Sequence, residues 1–198
     1  NMDLDGDGMQ ELIVLRADEE GDGTAEYYDW QDETLSLRSA ARISMTMAEL
    51  SQQGRVTVGA LGDGAPALFI TGVTEQFDAV TDILAVRNGE PVNILLSELT
   101  GVSGEIGFFS GLYPTDINGD GLTEVPRPVR PDGESAVQRV DWLTFAVSGE
   151  GRTVLSTYHC MEEGWYFQLP ESWVGRVQTE RTSSSGEAAV TFYAQDEH

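Results

Sequence analysis

Short runs of apolar and β-branched residues alternate with turns rich in Gly, Asp and Asn along most of the chain. In the first third, this pattern predicts strands over residues 11–16, 25–30, 35–43 and 55–60. Runs rich in Val, Ile, Leu and Tyr that are bounded by turn residues are typical of antiparallel strands. The segment from Met45 to Gln53 is compatible with a short helix. The pattern as a whole predicts an all-β fold.

The chain also repeats itself. A Gly-Asp-Gly segment recurs at a nearly fixed spacing, beginning at Gly6, Gly62 and Gly119, with intervals of 56 and 57 residues. Two strands separated by a polar turn follow each copy. Trp30 and Val86 occupy corresponding places 56 residues apart, whereas Val86 and Val147 lie 61 apart, and a Pro-rich insertion over 126–131 accounts for the excess. A fixed period of this length is typical of a repeat architecture.

About four strands per unit are what one blade of a β-propeller requires. The sequence therefore predicts three propeller-like, four-stranded repeats over about residues 1–56, 57–112 and 113–156. Propellers have at least four blades, so three units predict further blades upstream, an open arc, or completion by another copy. A β-sandwich with coincidental periodicity is the alternative fold.

The period is lost after Ser156. Residues 157–198 are predicted to form a small, incomplete C-terminal β module, in which residues 176–181 pair with residues 188–194. The tract from Thr182 to Gly186 forms the flexible tip of that hairpin, because small polar residues and glycine favour turns.

The chain has 198 residues, enough for a sizeable core, with 34 acidic against 11 basic residues and a net charge of -23. Such a charge repels nucleic acids and anionic membranes and attracts cations. No apolar run is long enough to span a bilayer and no signal peptide is visible, so any export signal is expected upstream of Asn1. The single cysteine, Cys160, excludes an internal disulfide and is expected to be a buried thiol.

Two acidic loops carry the clearest chemistry. The first runs from Asp3 to Glu11, and the second, from Asp116 to Glu124, repeats its pattern of alternating oxygen donors around a glycine bend at Gly8 or Gly121. Calcium takes six to eight hard oxygen ligands, and glycine permits the sharp turn. The predicted ligands are the side chains, and at two positions the backbone carbonyls, of Asp3, Asp5, Asp7, Met9 (carbonyl), Glu11, Asp116, Asn118, Asp120, Leu122 (carbonyl) and Glu124.

The closest competing motif is an EF-hand, which needs an acidic ligand at loop position twelve and flanking helices. That position holds Val14 or Arg127, and the segment after the first loop resembles a buried strand. The other alternative is an ordinary polar turn. We expect that alternative at Asp63, because Leu61 and Ala67 replace the other donors there. In the two acidic loops, crowded carboxylates would repel one another without a cation.

No catalytic constellation is evident in the sequence. His159 and His198 are the two histidines. We expect His159 on a strand surface, facing away from Cys160 because neighbours in a strand point to opposite faces, and His198 frayed at the terminus. A pair of catalytic carboxylates stays open, because only spatial separation identifies one. Five aromatic residues could form a binding surface or pack in the core: Trp30, Tyr113, Trp142, Trp165 and Trp173.

The two loops resemble the calcium-binding FG-GAP and VCBS-type repeats of integrin-like propellers and of bacterial extracellular proteins. The run Asp3-Leu4-Asp5-Gly6-Asp7-Gly8, followed by Glu11-Leu12-Ile13-Val14, and the segment 164–173 (Gly-Trp-Tyr-Phe-Gln-Leu-Pro-Glu-Ser-Trp) are similar to uncharacterised surface lipoproteins of gut Firmicutes. The repeat resemblance covers residues 1–156 and is specific at the two loops. It implies that calcium stabilises the blade edge and that the protein binds or adheres at the cell surface.

These observations favour a secreted or cell-surface, lipid-anchored module with two structural calcium sites and no enzymatic activity. Its role would be binding, adhesion or scaffolding, with a protein or carbohydrate as the further ligand. The alternatives are a polysaccharide-active hydrolase with unidentified catalytic carboxylates and a structural spacer.

Overall fold

The computed structural model describes residues 2–31, 33–97, 99–129, 137–161, 163–184 and 187–194. This part of the chain is mostly β-structure. Its helical elements are α1 (Met47–Gln53) and a 3₁₀ turn at Glu171–Trp173. Its strands, in chain order, are β1 (Leu12–Ala17), β2 (Gly23–Gln31), β3 (Thr34–Arg42), β4 (Arg55–Ala60), β5 (Pro66–Val73), β6 (Asp78–Arg87), β7 (Glu90–Asn93), β8 (Glu105–Phe108), β9 (Val125–Val129), β10 (Val137–Phe145), β11 (Gly151–Cys160), β12 (Trp165–Gln168), β13 (Val177–Ser184) and β14 (Glu187–Ala194).

The strands form antiparallel sheets in which neighbours in sequence pair with one another. The first sheet has the order β1-β2-β3, and the second has the order β4-β5-β6-β7, with β8 also paired to β6. A third sheet has the order β12-β11-β10-β9, and β13 pairs with β14. This architecture confirms the predicted all-β class. Among the described residues, no helix is both long and apolar enough to cross a bilayer.

The chain divides into two compact units. Unit 1 comprises Asn1–Val125 and Thr144–Arg152, and unit 2 comprises Pro126–Leu143 and Thr153–His198. Both acidic loops belong to unit 1. The boundary expected from the sequence, between residues 156 and 157, stays a prediction.

The first two sheets share one pairing register. Leu12 pairs with Tyr28 on β1 and β2, and Leu68 pairs with Leu84 on β5 and β6, each partner displaced by 56 residues. On the third strands, Leu37 pairs with Tyr28 as Asn93 pairs with Leu84.

One strand belongs to a different sheet from the one that the sequence suggested. Arg55–Ala60 was expected to be the last strand of the first repeat, but it forms β4 and pairs with β5 of the second sheet. The cause is a tight turn between these strands, in which the Leu61 N–H donates to the Ala65 carbonyl at 2.8 Å. The helix α1 precedes β4 and begins with a capping box between Thr46 and Glu49.

One core cluster of unit 1 lies between the first and second sheets. The face of the first sheet that carries Ala25, Tyr27 and Ala41 packs against the face of the second sheet that carries Leu68 and Leu84. Burial of these apolar side chains supplies the main free energy that holds the two sheets together.

Unit 2 has a smaller core around Tyr158 and Leu169, with Phe192 packed against them. Cys160 is buried, as expected. The prediction that His159 lies on a strand surface is wrong, because His159 is buried and stacks on Tyr166 with ring centroids 5.3 Å apart. The strand β11 is covered on the side that carries His159, which alternation along one strand cannot reveal.

The aromatic residues proposed as a binding surface have different surroundings. Trp142 is a core residue whose indole N–H donates to Thr157. The Tyr113 hydroxyl donates a hydrogen bond to the Gln53 carbonyl, and the Trp165 indole N–H donates one to the Glu163 carboxylate. Trp30 and Trp173 stay partly exposed.

The predicted C-terminal hairpin forms, and β13 pairs with β14 from Val177↔Ala194 to Ser184↔Glu187. The predicted bounds of its tip are wrong, because Thr182, Ser183 and Ser184 continue the strand β13 and pair with residues of β14. Residues 185–186 of its predicted tip and His198 lie outside the described residues.

Candidate metal centre

The first acidic loop is held closed at its base. Met2 and Glu11 form an antiparallel bridge, in which the Glu11 N–H donates to the Met2 carbonyl at 2.9 Å. Gly6 and Gly8 within the loop have positive φ angles of 82° and 89°. Such angles favour glycine, so the loop needs a glycine at both positions. The sequence had singled out Gly8 alone as the bend.

The acidic side chains of this loop converge. One carboxylate oxygen from each of Asp3, Asp5, Asp7 and Glu11 lies within 4.8 Å of the corresponding oxygens of the others. Asp3 also organises the backbone, because its two oxygens accept hydrogen bonds from the N–H groups of Gly6 at 2.7 Å and Gly8 at 3.1 Å. The structure therefore brings together the four acidic residues that the sequence nominated.

Glu11 is the buried member of this group. Its side chain is fully buried, and its Oε2 accepts a hydrogen bond from the Leu4 N–H at 2.5 Å. Its Oε1 is also buried and has no hydrogen-bond partner. Burial raises the pKa of Glu11, and the neighbouring carboxylates of Asp5, Asp3 and Asp7 raise it further. An unsatisfied buried carboxylate oxygen is costly unless a cation or another donor binds it.

Tyr27 supports the loop from the adjoining strand β2. Its hydroxyl donates to Asp5 Oδ2 at 3.2 Å, while its ring lies in the core of unit 1. Burial raises the pKa of Tyr27, and so do the nearby carboxylates of Glu11 and Asp5, so its hydroxyl acts as a donor at neutral pH. The sequence did not identify this contact, because Tyr27 is far from Asp5 along the chain.

The second acidic loop reproduces most of this construction. Thr115 and Glu124 form the bridge at its base, and Gly119 and Gly121 have φ angles of 78° and 86°. The oxygens of Asp116 accept hydrogen bonds from the N–H groups of both glycines, at 2.7 and 2.9 Å.

Glu124 is the counterpart of Glu11. It is fully buried, its Oε2 accepts a hydrogen bond from the Ile117 N–H at 3.2 Å, and its Oε1 is buried without a partner. Burial is the main cause that raises the pKa of Glu124, and the carboxylates of Asp120 and Asp116 add to it.

The two loops differ in how closely their acidic groups gather. Among the described residues, Asp116, Asp120 and Glu124 do not form a second group with the close spacing of the first loop. Asn118 replaces one carboxylate, and its amide donates to Asp120 Oδ2 at 3.0 Å. The second loop therefore has one negative charge fewer to neutralise.

The middle Gly-Asp-Gly segment is built without such a centre. Its Asp63 Oδ2 accepts a hydrogen bond from the Val147 N–H at 2.8 Å, and Oδ1 accepts one from the Ala65 N–H at 3.2 Å. Ala67 stands where the other two loops carry a buried glutamate. Both Asp63 oxygens have protein donors, as is typical of a polar turn.

Chemically, the first loop offers a cluster of carboxylate oxygens, one of them buried and unsatisfied. Hard, negatively charged oxygens at the bend of a short loop suit Ca²⁺, which tolerates irregular geometry, better than softer metals that prefer sulfur or imidazole. The carbonyls of Met9 and Leu122, expected as further ligands, stay a prediction.

No family model, curated protein or solved structure matches this chain. Its function must therefore be inferred from the two loops themselves.

Proposed function

We propose that this chain is a calcium-binding repeat module of the FG-GAP/VCBS-like kind, in which two bound ions stabilise the acidic loops of unit 1. Asp3, Asp5, Asp7 and Glu11 would hold the first ion, and the loop from Asp116 to Glu124 would hold the second. The ions would have a structural role, because each loop directly precedes a strand and is closed by a bridge to the residue before that strand.

The observation that carries the proposal is that Glu11 and Glu124 have the same burial and the same hydrogen-bonding pattern. Each is fully buried, each uses one oxygen to accept a backbone N–H from seven residues earlier, and each leaves the other oxygen without a partner. The same unsatisfied atom at the same loop position in two repeats supports a common cause. A divalent cation would satisfy both oxygens and offset the repulsion among the neighbouring carboxylates.

We further propose an extracellular or cell-surface role in binding, adhesion or scaffolding. The likeness of the two acidic loops to the FG-GAP and VCBS-type repeats of bacterial extracellular proteins supports this location. The net charge of -23 supports a solvated surface and disfavours nucleic acid as a partner. Staining of intact and permeabilised source cells with an antibody against the chain tests this location. Staining that requires permeabilisation would contradict it.

Calorimetric titration of the chelator-treated chain with CaCl₂ tests the metal sites. We expect two bound ions per chain and a rise in the melting temperature when calcium is added, because ligands that bind only the folded state stabilise it. The double variant Asp5→Ala with Asp120→Ala should lose both the heat of binding and the thermal shift.

Asp63→Asn is the matched control, because it removes an acid from the same repeat position in the loop that lacks a ligand set. Its calcium-dependent shift in melting temperature should equal that of the parent chain. A parent chain whose melting temperature is the same in calcium and in chelator would refute the proposal. MgCl₂ in place of CaCl₂ tests selectivity, since Mg²⁺ demands stricter octahedral geometry.

A further inference from the structure

The face of the first sheet that points away from the core of unit 1 is unusually apolar. We call it the outer face, and its apolar members come from all three strands: Leu12, Val14, Tyr28, Trp30, Leu35 and Leu37. Leu12, Trp30 and Leu37 are 39%, 42% and 52% exposed. A cluster of this kind on one sheet face marks an interaction surface more often than isolated exposed residues do.

The second sheet shows what such a face packs against. Its residues at the corresponding positions, 56 places later, include Leu68, Ile70 and Leu84, which have the same pairing register as Leu12, Val14 and Tyr28. Leu68 and Leu84 are buried against the inner face of the preceding sheet, which carries Ile13, Leu15, Ala25, Tyr27 and Ala41. The chain therefore contains one example of this packing.

From this correspondence we infer that the outer face of the first sheet is the docking surface for one more repeat of the same kind. The partner would present an inner face of small and aliphatic side chains, equivalent to that around Ala25 and Tyr27. Leu12, Val14 and Tyr28 would contact it as Leu68, Ile70 and Leu84 contact the first sheet. The inference is independent of whether the acidic loops bind calcium.

The outer face also carries the carboxylate of Glu26, which is already buried. Glu26 stands at the position of Asp82 in the second sheet, and its carboxylate accepts hydrogen bonds from Arg16 Nε at 2.6 Å and from the Tyr28 hydroxyl at 2.9 Å. Its charge is therefore already paired within the first sheet. Leu37 replaces Asn93, so the outer face is more apolar there than its counterpart.

Unit 1 of a second copy fits less well than an additional repeat. The docking partner needs a free inner face, and in the described part of unit 1 these faces are covered. Ala25 and Tyr27 are buried by the second sheet, and Phe69 and Ile83, at the corresponding positions of the second sheet, are buried too. An additional repeat directly before the first one would bring a free inner face of its own.

The test adds such a repeat and measures whether it covers the outer face. Residue 58 lies 56 positions after Met2, so a copy of residues 2–57 placed directly before Met2 continues the period. The variant Leu37→Cys in the original repeat places a thiol on the outer face, and the rate at which this thiol reacts with a thiol reagent reports how accessible the outer face is. The buried Cys160 gives a slow background reaction. We expect the reaction of the introduced thiol to slow on the order of tenfold or more in the extended chain, since burial limits exchange to transient opening.

Leu99→Cys is the matched control, because Leu99 is 97% exposed in a loop of the same unit. Its rate should be equal in the two chains. Replacing Ala25 by Arg in the added copy alone disrupts the inner face and should restore the fast reaction of the Leu37→Cys thiol. Equal rates for that thiol with and without the added repeat, or protection that survives Ala25→Arg, would overturn the inference.

The 198-residue Leu37→Cys chain supplies a test that does not depend on folding of the extended chain. Reactivity that is fast and independent of protein concentration supports the inference, because it excludes self-association through this face. Protection that increases with protein concentration assigns the face to a second copy and overturns it.

Discussion

The buried carboxylate of Asp82 on β6 accepts hydrogen bonds from both the backbone N–H and the hydroxyl of Ser44, at 2.6 and 2.8 Å. Ser44 follows β3 of the first sheet, so this contact ties the second sheet to the first. Asn93 adds a related contact by donating to the Arg42 carbonyl at 3.2 Å. Hydrogen bonds thus fix the relative position of two sheets whose apolar faces alone would permit sliding.

Replacement of Asp82 should destabilise unit 1 and change its pH dependence. Asp82→Ala leaves the Ser44 N–H without its acceptor, and we expect a loss of about 1–3 kcal/mol in the free energy of unfolding. Burial raises the pKa of Asp82 above its ordinary value of 3.8. A raised folded-state pKa contributes stability at low pH that is lost as pH rises from about 4 through the folded-state pKa.

Urea unfolding of the parent chain and of Asp82→Asn across this pH range checks the sign. The parent should lose stability relative to the Asn variant as pH rises, because only the parent must bury a charge at this position. Parallel pH profiles for the two proteins would contradict the prediction.

Glu11→Gln should have opposite effects with and without calcium. Without the ion, the amide removes a buried charge that faces Asp3, Asp5 and Asp7, so we expect the variant to be more stable than the parent by about 1 kcal/mol. With calcium, the variant lacks a charged ligand and should be the less stable protein. Thermal melts in chelator and in CaCl₂ give both values.

Glu90→Gln, on the exposed part of β7, provides the comparison for this charge removal. Exposed substitutions usually change stability by less than about 0.5 kcal/mol, so its calcium response should match that of the parent. A Glu11→Gln variant that is destabilised equally in both buffers would show that Glu11 has only a structural role.

Gly59→Ala should weaken the second acidic loop. A Cβ at Gly59 would lie 2.0 Å from Thr123 Oγ1, and Thr123 directly precedes Glu124 and donates its N–H to the Ala60 carbonyl. Forcing these groups apart should cost about 1–3 kcal/mol and reduce calcium affinity at the second loop. Urea unfolding and calorimetry measure the two effects.

Gly107→Ala is the control for this change, because nothing lies within 4 Å of a Cβ at that strand position. It should leave calcium binding unchanged. If Gly59→Ala lowers the calcium affinity of both loops equally, the effect is global. The proposed local effect of Thr123 on the second loop would then be wrong.

His159 should make unit 2 sensitive to mildly acidic pH. Burial lowers its pKa below the ordinary value of 6.5, and its Nε2 lies 2.8 Å from Thr157 Oγ1, which also accepts the Trp142 indole N–H. Because the folded-state pKa lies below the unfolded-state pKa, unit 2 keeps its full stability above about pH 6.5 and loses stability as the pH falls below that value. An NMR titration of the ring should show a midpoint below 6.5.

The same loss should be absent from His159→Gln, which cannot titrate. Urea unfolding of the parent and the variant between about pH 5 and pH 8, the window set by the histidine pKa, makes the comparison. A ring that titrates at the ordinary value would contradict the role assigned to burial.

The local elements of this fold follow closely from the sequence. The strands β1, β2 and β3 lie within two residues of their predicted bounds, and the helix α1 falls inside the segment proposed for it. The four carboxylates of the first loop converge as their spacing suggested. Strand alternation and glycine bends act over a few neighbouring residues, which is why a linear pattern records them.

Contacts between distant residues were decided by the tertiary structure alone. The pairing of β4 with β5, the Tyr27 hydroxyl at Asp5, the Asp82 contact with Ser44 and the burial of His159 each join segments that the pattern treats separately. The sequence by itself determined which residues could supply oxygen ligands. Only the packed sheets determined that Glu11 and Glu124 are buried with one oxygen unsatisfied, because the burial of a side chain depends on which surfaces the rest of the chain places over it.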